Sequence, residues 1–156
     1  MRRKNERGNA IIEFAMVFPV LLILIVSVMD FGLCFFAEHT LQFATREGVR
    51  MALVGRTLND PSGSPMTRVA SIVKTIQDQA AIAIPASKLS ISIYAVPPDL
   101  SDPAGWQGTQ DAGAGGEYMR VRTSYDYHFI TPVLALVFKD GIITLQAQST
   151  YRNEQF

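Results

Sequence analysis

Cysteine, tryptophan and histidine are scarce in this chain of 156 residues: one, one and two. The single cysteine, Cys34, excludes an intrachain disulfide in any compartment. It stands in an apolar helical pattern, which predicts a packed free thiol. His39 and His128 are far apart in sequence and fall on predicted exterior faces. With no cysteine pair and no carboxylate at ligand spacing, a metal site is not expected. Asp99, Asp102 and Asp111 lack the spacing of a calcium loop, and "GAGGE" lacks the lysine and the strand-to-helix setting of a phosphate loop. No serine sits in a nucleophile elbow, and no element carries paired carboxylates. The expectation is a protein without cofactor, metal or enzymatic activity.

Charge is scarce too. The formal net charge is zero, so nothing points to a nucleic-acid partner. No charged residue occurs from Phe14 to Met29, and the overall balance hides an asymmetry. Arg2, Arg3, Lys4 and Arg7 against Glu6 give the first eight residues +3, leaving −3 on residues 9–156. Basic clusters beside an apolar span stay cytoplasmic, which places the N-terminus inside and the remainder outside.

The 19 residues from Ile11 to Met29 contain one charge, Glu13. As a helix they span about 28 Å, close to the hydrocarbon thickness of about 30 Å. Pro19 interrupts the run, and in lipid a proline usually kinks a helix rather than ending it. A cleavable secretory signal fits less well: the run is too long and "SVMDFGL" is a poor cleavage site. Helical pattern continues to Gly55, a C-cap candidate, so residues 9–54 read as one helix of roughly 65–70 Å. Along it Ala44, Gly48 and Ala52 form a narrow stripe on one face. Such a stripe lets a neighbouring helix approach closely, in another subunit or in the chain's own domain.

"RTLNDPSGSP" is a surface loop, and Ser64-Pro65 offer an N-cap and first position for a second helix. Met66, Val69, Val73, Ile76 and Ala80 follow at helical spacing, and that helix should end before Pro85. Beyond it the pattern has period two. Leu89, Ile91 and Ile93 share one strand face, and Ile143, Leu145 and Ala147 another. Between them Met119, Val121, Thr123, Tyr125, Tyr127 and Phe129 oppose a face of Arg120, Arg122, Ser124, Asp126 and His128. Three half-buried strands follow from this, with the arginine face expected to be solvated. "TPVLALVFKDG" reads as a short helix or apolar turn, and Pro97–Gly116 as a long, mobile loop. The fold class is therefore α+β: a long N-terminal helix, half transmembrane, a second helix and a small antiparallel sheet.

Glu13 remains to be explained. A carboxylate at the bilayer centre costs on the order of 2.5–3.5 kcal/mol, less near the edge, and is a candidate functional group by default. A cut after Gly8 would give Asn9 a free ammonium one helical turn away, within the subunit or on a staggered neighbour. The bland reading is that Glu13 snorkels to the headgroups. Residue chemistry alone leaves the two open.

Arg7-Gly8, four residues, then Glu13-Phe14-Ala15 ahead of an apolar helix resembles the class III signal of type IV pilins, closest to the Flp-type pattern. With Pro19, Asp30-Phe31-Gly32 and the stretch from Ala44 to Arg50, the first 55 or so residues resemble the TadE-like family, pseudopilins of the tight-adherence (Tad/Flp) pilus. The resemblance implies a leader at 1–8 removed between Gly8 and Asn9 by a prepilin peptidase, and a transmembrane segment at 9–29. The helix would continue over 30–55, with a small extracytoplasmic domain at 64–156. It implies subunit recognition through Glu13 and Phe14, and residence in the inner membrane with the C-terminal domain periplasmic. Other pilin or pseudopilin subunits and the Tad assembly platform are the implied partners, and entry into an extracellular pilus is left open. Two rival readings keep the same architecture: an uncleaved single-pass scaffold of an envelope complex, and a binding module whose 97–116 loop recognises a ligand.

Overall fold

A computed structural model describes residues 6–154; Met1–Asn5, most of the expected leader, and Gln155–Phe156 lie outside the described residues. Three helices and three strands follow in the order α1 (Glu6–Leu53), α2 (Arg68–Ala80), β1 (Leu89–Ala95), β2 (Tyr118–His128), α3 (Pro132–Val137) and β3 (Ile142–Arg152). The three strands form one antiparallel sheet in the order β1-β2-β3, so the α+β class read from the sequence holds. The chain divides into two compact units. One holds α1 up to Phe35 together with His128–Ile143; the other holds Phe36–Tyr127 and Thr144 onward.

α1 runs through Pro19 and ends where Gly55 takes a left-handed φ of 61° and its N–H reaches the Ala52 carbonyl. In the second unit its inner face carries Leu41, Ala44, Thr45, Val49 and Ala52, all buried. A Cβ added at Gly48 would overlap the Cγ1 and Cδ1 atoms of Ile76, with Ile72 just beyond. Glycine is therefore what lets α2 seat against α1, and the stripe Ala44-Gly48-Ala52 lies inside the chain's own fold.

The start and the buried face of α2 differ from the sequence reading. Thr67, not Ser64, is the N-cap; its hydroxyl accepts from the Ala70 N–H at 3.2 Å. Ser64 and Pro65 are used elsewhere. Asp60 Oδ1 gathers the N–H groups of Ser62 and Ser64 at 2.9 Å each, and Pro65 bridges to Asn59. The buried stripe is Ile72-Ile76-Ala80 flanked by Ser71 and Thr75, with Val69 and Val73 on the half-exposed edge. The hydroxyls of Ser71 and Thr75 donate to the carbonyls four residues back, at 2.9 and 2.8 Å, which is how two polar side chains enter the core.

Met119, Val121 and Thr123 of β2 face the helices, and the hydroxyls of Thr45 and Thr123 meet at 2.7 Å. Arg68 closes the end of α1: its guanidinium donates to the Ala52 carbonyl (2.8 Å) and to Asn153 Oδ1 (2.6 Å). A cation at a helix C-terminus satisfies orphan carbonyls and complements the dipole. Asn153 in turn donates to the carbonyls of Ala112 and Ala114, tying the chain's end to the long loop.

That loop overturns two expectations. Arg120 and Arg122 are covered, whereas Asp126 and His128 further along the same face are exposed as expected, and Pro97–Gly116 is bound along the sheet. Ile93 pairs with Val121 on one side, which leaves its own N–H and C=O pointing to the outer edge of β1. There its N–H reaches the Thr109 carbonyl (2.7 Å) and its carbonyl accepts from Asp111 (2.9 Å). The loop thus covers an otherwise open sheet edge. Trp106 stacks on Tyr94 with centroids 5.3 Å apart, and the Arg122 guanidinium lies 4.3 Å over the indole. Asp102 pairs with both Arg120 and Arg122 and accepts from the Tyr94 hydroxyl at 2.8 Å. Arg120 is only 8% exposed and also donates to the Leu100 carbonyl (2.9 Å) and Thr150 (3.0 Å). The Tyr94 hydroxyl first, then the two arginines, hold the Asp102 carboxyl below the usual carboxylate range.

Two predictions follow from this packing. Gly48→Leu should destabilise the protein by about 2 kcal/mol through overpacking, read as a lower unfolding midpoint in detergent by circular dichroism. Gly32→Ala, where an added Cβ meets nothing within 4 Å, should leave that midpoint unchanged or higher. For the loop, a depressed carboxylate pKa means that its contribution is complete above the unfolded value, about 3.9, and is lost as pH falls through the folded value. Trp106 emission should therefore stay constant from neutral pH down to about 4 and shift below it. Asp102→Asn should abolish that step, and persistence of the same step in this variant would remove Asp102 from the account.

Candidate functional site

The residues singled out from the sequence lie along α1 in two groups with different surroundings. Gly8, Asn9, Glu13 and Phe14 are all exposed, as is nearly every side chain from Gly8 to Met29. Phe14 stacks on Phe18 with centroids 5.2 Å apart. Glu13 is thus the one carboxylate on an apolar cylinder long enough to cross a membrane. Gly8 is helical, and a Cβ placed there meets nothing within 4 Å. Neither backbone conformation nor packing in this chain asks for glycine at that position, although glycine in a helix interior costs about 0.5–1 kcal/mol relative to alanine.

The second group, Ala44, Gly48 and Ala52, is buried in the other unit, as described above. Of the charges that follow the apolar span, Glu47 and Arg50 pair within the helix at 3.6 Å. An exposed pair at that spacing contributes at most a few tenths of a kcal/mol or so.

Asp30 is the residue whose role sequence reasoning missed. It is 3% exposed, and its Oδ2 accepts the backbone N–H groups of Ile130 and Thr131 at 2.8 Å each. Phe31 beside it sets its ring edge-on against Phe129 (5.4 Å) and Phe138 (6.1 Å), which stack on each other at 4.7 Å. The segment so held is a closed turn. The Phe129 N–H donates to the Gly141 carbonyl, Asp140 and Gly141 take left-handed φ values of 58° and 66°, and Leu134 points inward. Charge-assisted bonds from two backbone amides offset the cost of burying the carboxylate. Asp30-Phe31-Gly32 was visible only as part of a family pattern; its partners lie a hundred residues away and carry no motif. Cys34, one turn further on, is buried, as its context predicted.

Among the described residues no cluster of histidine, cysteine and carboxylates is arranged to hold a metal ion. Outside the apolar span, Phe36, Thr40 and Phe43 of α1 line a shallow groove with Asp78, Gln79 and Ile82, leaving Phe36, Phe43 and Ile82 exposed.

Comparison with protein families places the same stretch. The family model described as "TadE-like protein" matches residues 8–50. The similarity to that family is confined to this stretch. The match covers the Gly8–Glu13 group, Asp30 and most of α1, and does not extend to α2 or the sheet. No curated protein and no solved structure gives a significant match. α1 of the TadE-like region fits a single-pass membrane protein.

Within that region the Asp30 contacts are directly testable. Asp30→Ala leaves the buried Thr131 N–H and the part-buried Ile130 N–H without this acceptor, at about 1–3 kcal/mol for the buried one, so amide exchange at Thr131 should rise by about 10-fold or more and at Ile130 by less. Asp30→Asn keeps an oxygen acceptor and should show a smaller rise. Unchanged exchange in both variants would remove Asp30 as the anchor of this turn.

Proposed function

We propose that the protein is a minor pilin of the pseudopilin type, acting in assembly or priming of a Tad/Flp adhesive pilus, and that it is processed by a prepilin peptidase between Gly8 and Asn9. The observation that carries this reading is the pairing of an unexplained glycine with an unexplained acid. Gly8 has no reason in this chain's own packing, and Glu13 lies on the exposed apolar surface one turn beyond Asn9.

Hydrolysis of the Gly8–Asn9 bond would do two things. It would remove the leader and its +3 charge, which holds the segment at the cytoplasmic face. It would also create an α-amino group on Asn9, one turn from Glu13 and able to pair with its carboxylate. An ion pair costs far less in an apolar setting than either charge alone. Between staggered subunits the same pair would fix axial register, since a helix displaced by one turn would leave both charges unpaired. The chemistry belongs to the peptidase; the protein itself works by contact. Its apolar span would exchange lipid for neighbouring spans, and the groove with Phe36, Phe43 and Ile82 supplies surface for a neighbouring subunit in the periplasm.

The test is the intact mass of the protein from its native host, with and without the prepilin peptidase. Loss of residues 1–8 only when the peptidase is present is the expected result. An intact leader in both strains would overturn the reading in favour of an uncleaved single-pass scaffold, with Glu13 paired to a basic residue of another membrane helix.

A further inference from the structure

The turn held by Asp30 has an outer face that its inner contacts do not explain. Leu134 points inward and is buried, whereas Val133, Leu136 and Val137, at i, i+3 and i+4 spacing on α3, point outward together. Leu136 is 87% exposed, Val137 72% and Ile130, just before the helix, 75%. A water-facing turn of this length gains nothing from four large apolar side chains on one side. A water-filled setting would favour polar residues there, as in the other exposed turn around Asp60, Ser62 and Ser64.

The position of the turn identifies what covers this face. Asp30 and Phe31 clamp it within one helical turn of Met29, the last residue of the apolar span. A span of 19 residues reaches from one headgroup layer to the other, so Asp30 stands at the boundary between hydrocarbon and headgroups. The outward apolar residues of α3 are therefore held beside the lipid-facing surface of α1, which includes the exposed Val28, Met29 and Leu33. The exposed Lys139 follows at the end of the same turn, where an ammonium would meet lipid phosphates.

We infer that Ile130, Val133, Leu136 and Val137 form an interfacial anchor that beds into the leaflet on the Asp30 side of the bilayer crossed by α1. The anchor enters to the depth of an amphipathic helix, about 5–10 Å. Its occupant is lipid. The α1 helix thereby meets the membrane at two points, its own span and the turn clamped to it, which restricts its tilt and its rotation about its axis. The inference rests on the membrane-spanning reading of α1.

The test uses the unaltered full chain in bilayers containing lipids with a photoactivatable diazirine, placed near the top of the acyl chain in one set and near its middle in another. Adducts are mapped by peptide mass spectrometry. The expected result is labelling of residues 130–137 by the shallow probe, with loss of that labelling for the deep one, while residues 11–29 are labelled by the deep probe. Labelling of 11–29 without labelling of 130–137 by either probe would overturn the anchor and leave its face to a second protein copy. Absence of labelling at both would overturn the anchor and the spanning reading together.

Discussion

The carboxylate of Asp30 sits where α1 changes the work its surface does. From Gly8 to Met29 the side chains of α1 are exposed and, Glu13 apart, uncharged. From Asp30 onward one stripe turns inward: Asp30, Cys34, Ala37, Leu41, Ala44, Gly48 and Ala52 are all buried, at spacings of three and four. An acid heads that stripe because its partners are backbone amides, which no hydrophobic side chain can satisfy. Had residue 30 been apolar, the N–H groups of Ile130 and Thr131 would need another acceptor. Phe31, the next residue, packs on Phe129 and Phe138, so the same turn is held by ring contacts as well as by the carboxylate.

A three-stranded sheet has two faces and two edges, and in a domain this small each must be dealt with by a short stretch of chain. Helical residues cover the face of Met119, Val121 and Thr123. The Arg120–Arg122 end of the opposite face and the outer edge of β1 are covered by one loop without helix or strand of its own. Its attachment is mainly polar and aromatic: Asp102 between two arginines and a tyrosine, and an indole between Tyr94 and Arg122. Burying Arg120 would be costly without a counter-charge, and Asp102 supplies it. The loop's prolines, glycines and aspartates, which suggest mobility when read alone, instead provide the bends and acceptors needed to follow a sheet surface.

What was legible in the sequence follows from how local each signal is. Helical and alternating periodicities are repeated every few residues, so α1, the three strands and the Gly55 cap could be read directly. The start of α2 was misplaced because Ser64-Pro65 and Thr67 are both good caps, and the choice depends on Asp60 capturing Ser64 and on Asn59 bridging to Pro65. Its buried face was misjudged because Ile72, Ser71 and Thr75 win their place only when Gly48 opens room on another helix. Arg120 and Arg122 alternate with apolar residues as a wet face should. Only the return of a segment some twenty residues earlier in the chain buries them. The Asp30 contacts join residues a hundred positions apart through main-chain amides, a recognition that leaves no trace in side-chain identity at Ile130 and Thr131.

The helical glycines of α1 separate what the fold requires from what lies outside it. Each carries the same propensity cost, so each needs a reason. At Gly48 the reason is internal, since any side chain would collide with Ile76. At Gly8 and Gly32 an added Cβ meets nothing within 4 Å, and neither position needs a left-handed backbone. Stability of the isolated chain would be served equally well by alanine at both. Contacts within the chain therefore account for Gly48 and leave Gly8 and Gly32 without an internal reason. The TadE-like match runs along this helix, from residue 8 to residue 50, and not along the sheet. It therefore takes in both the exposed span and the stripe from Asp30 to Gly48 on which the chain's own core is built, so the family pattern and the packing of α1 share residues.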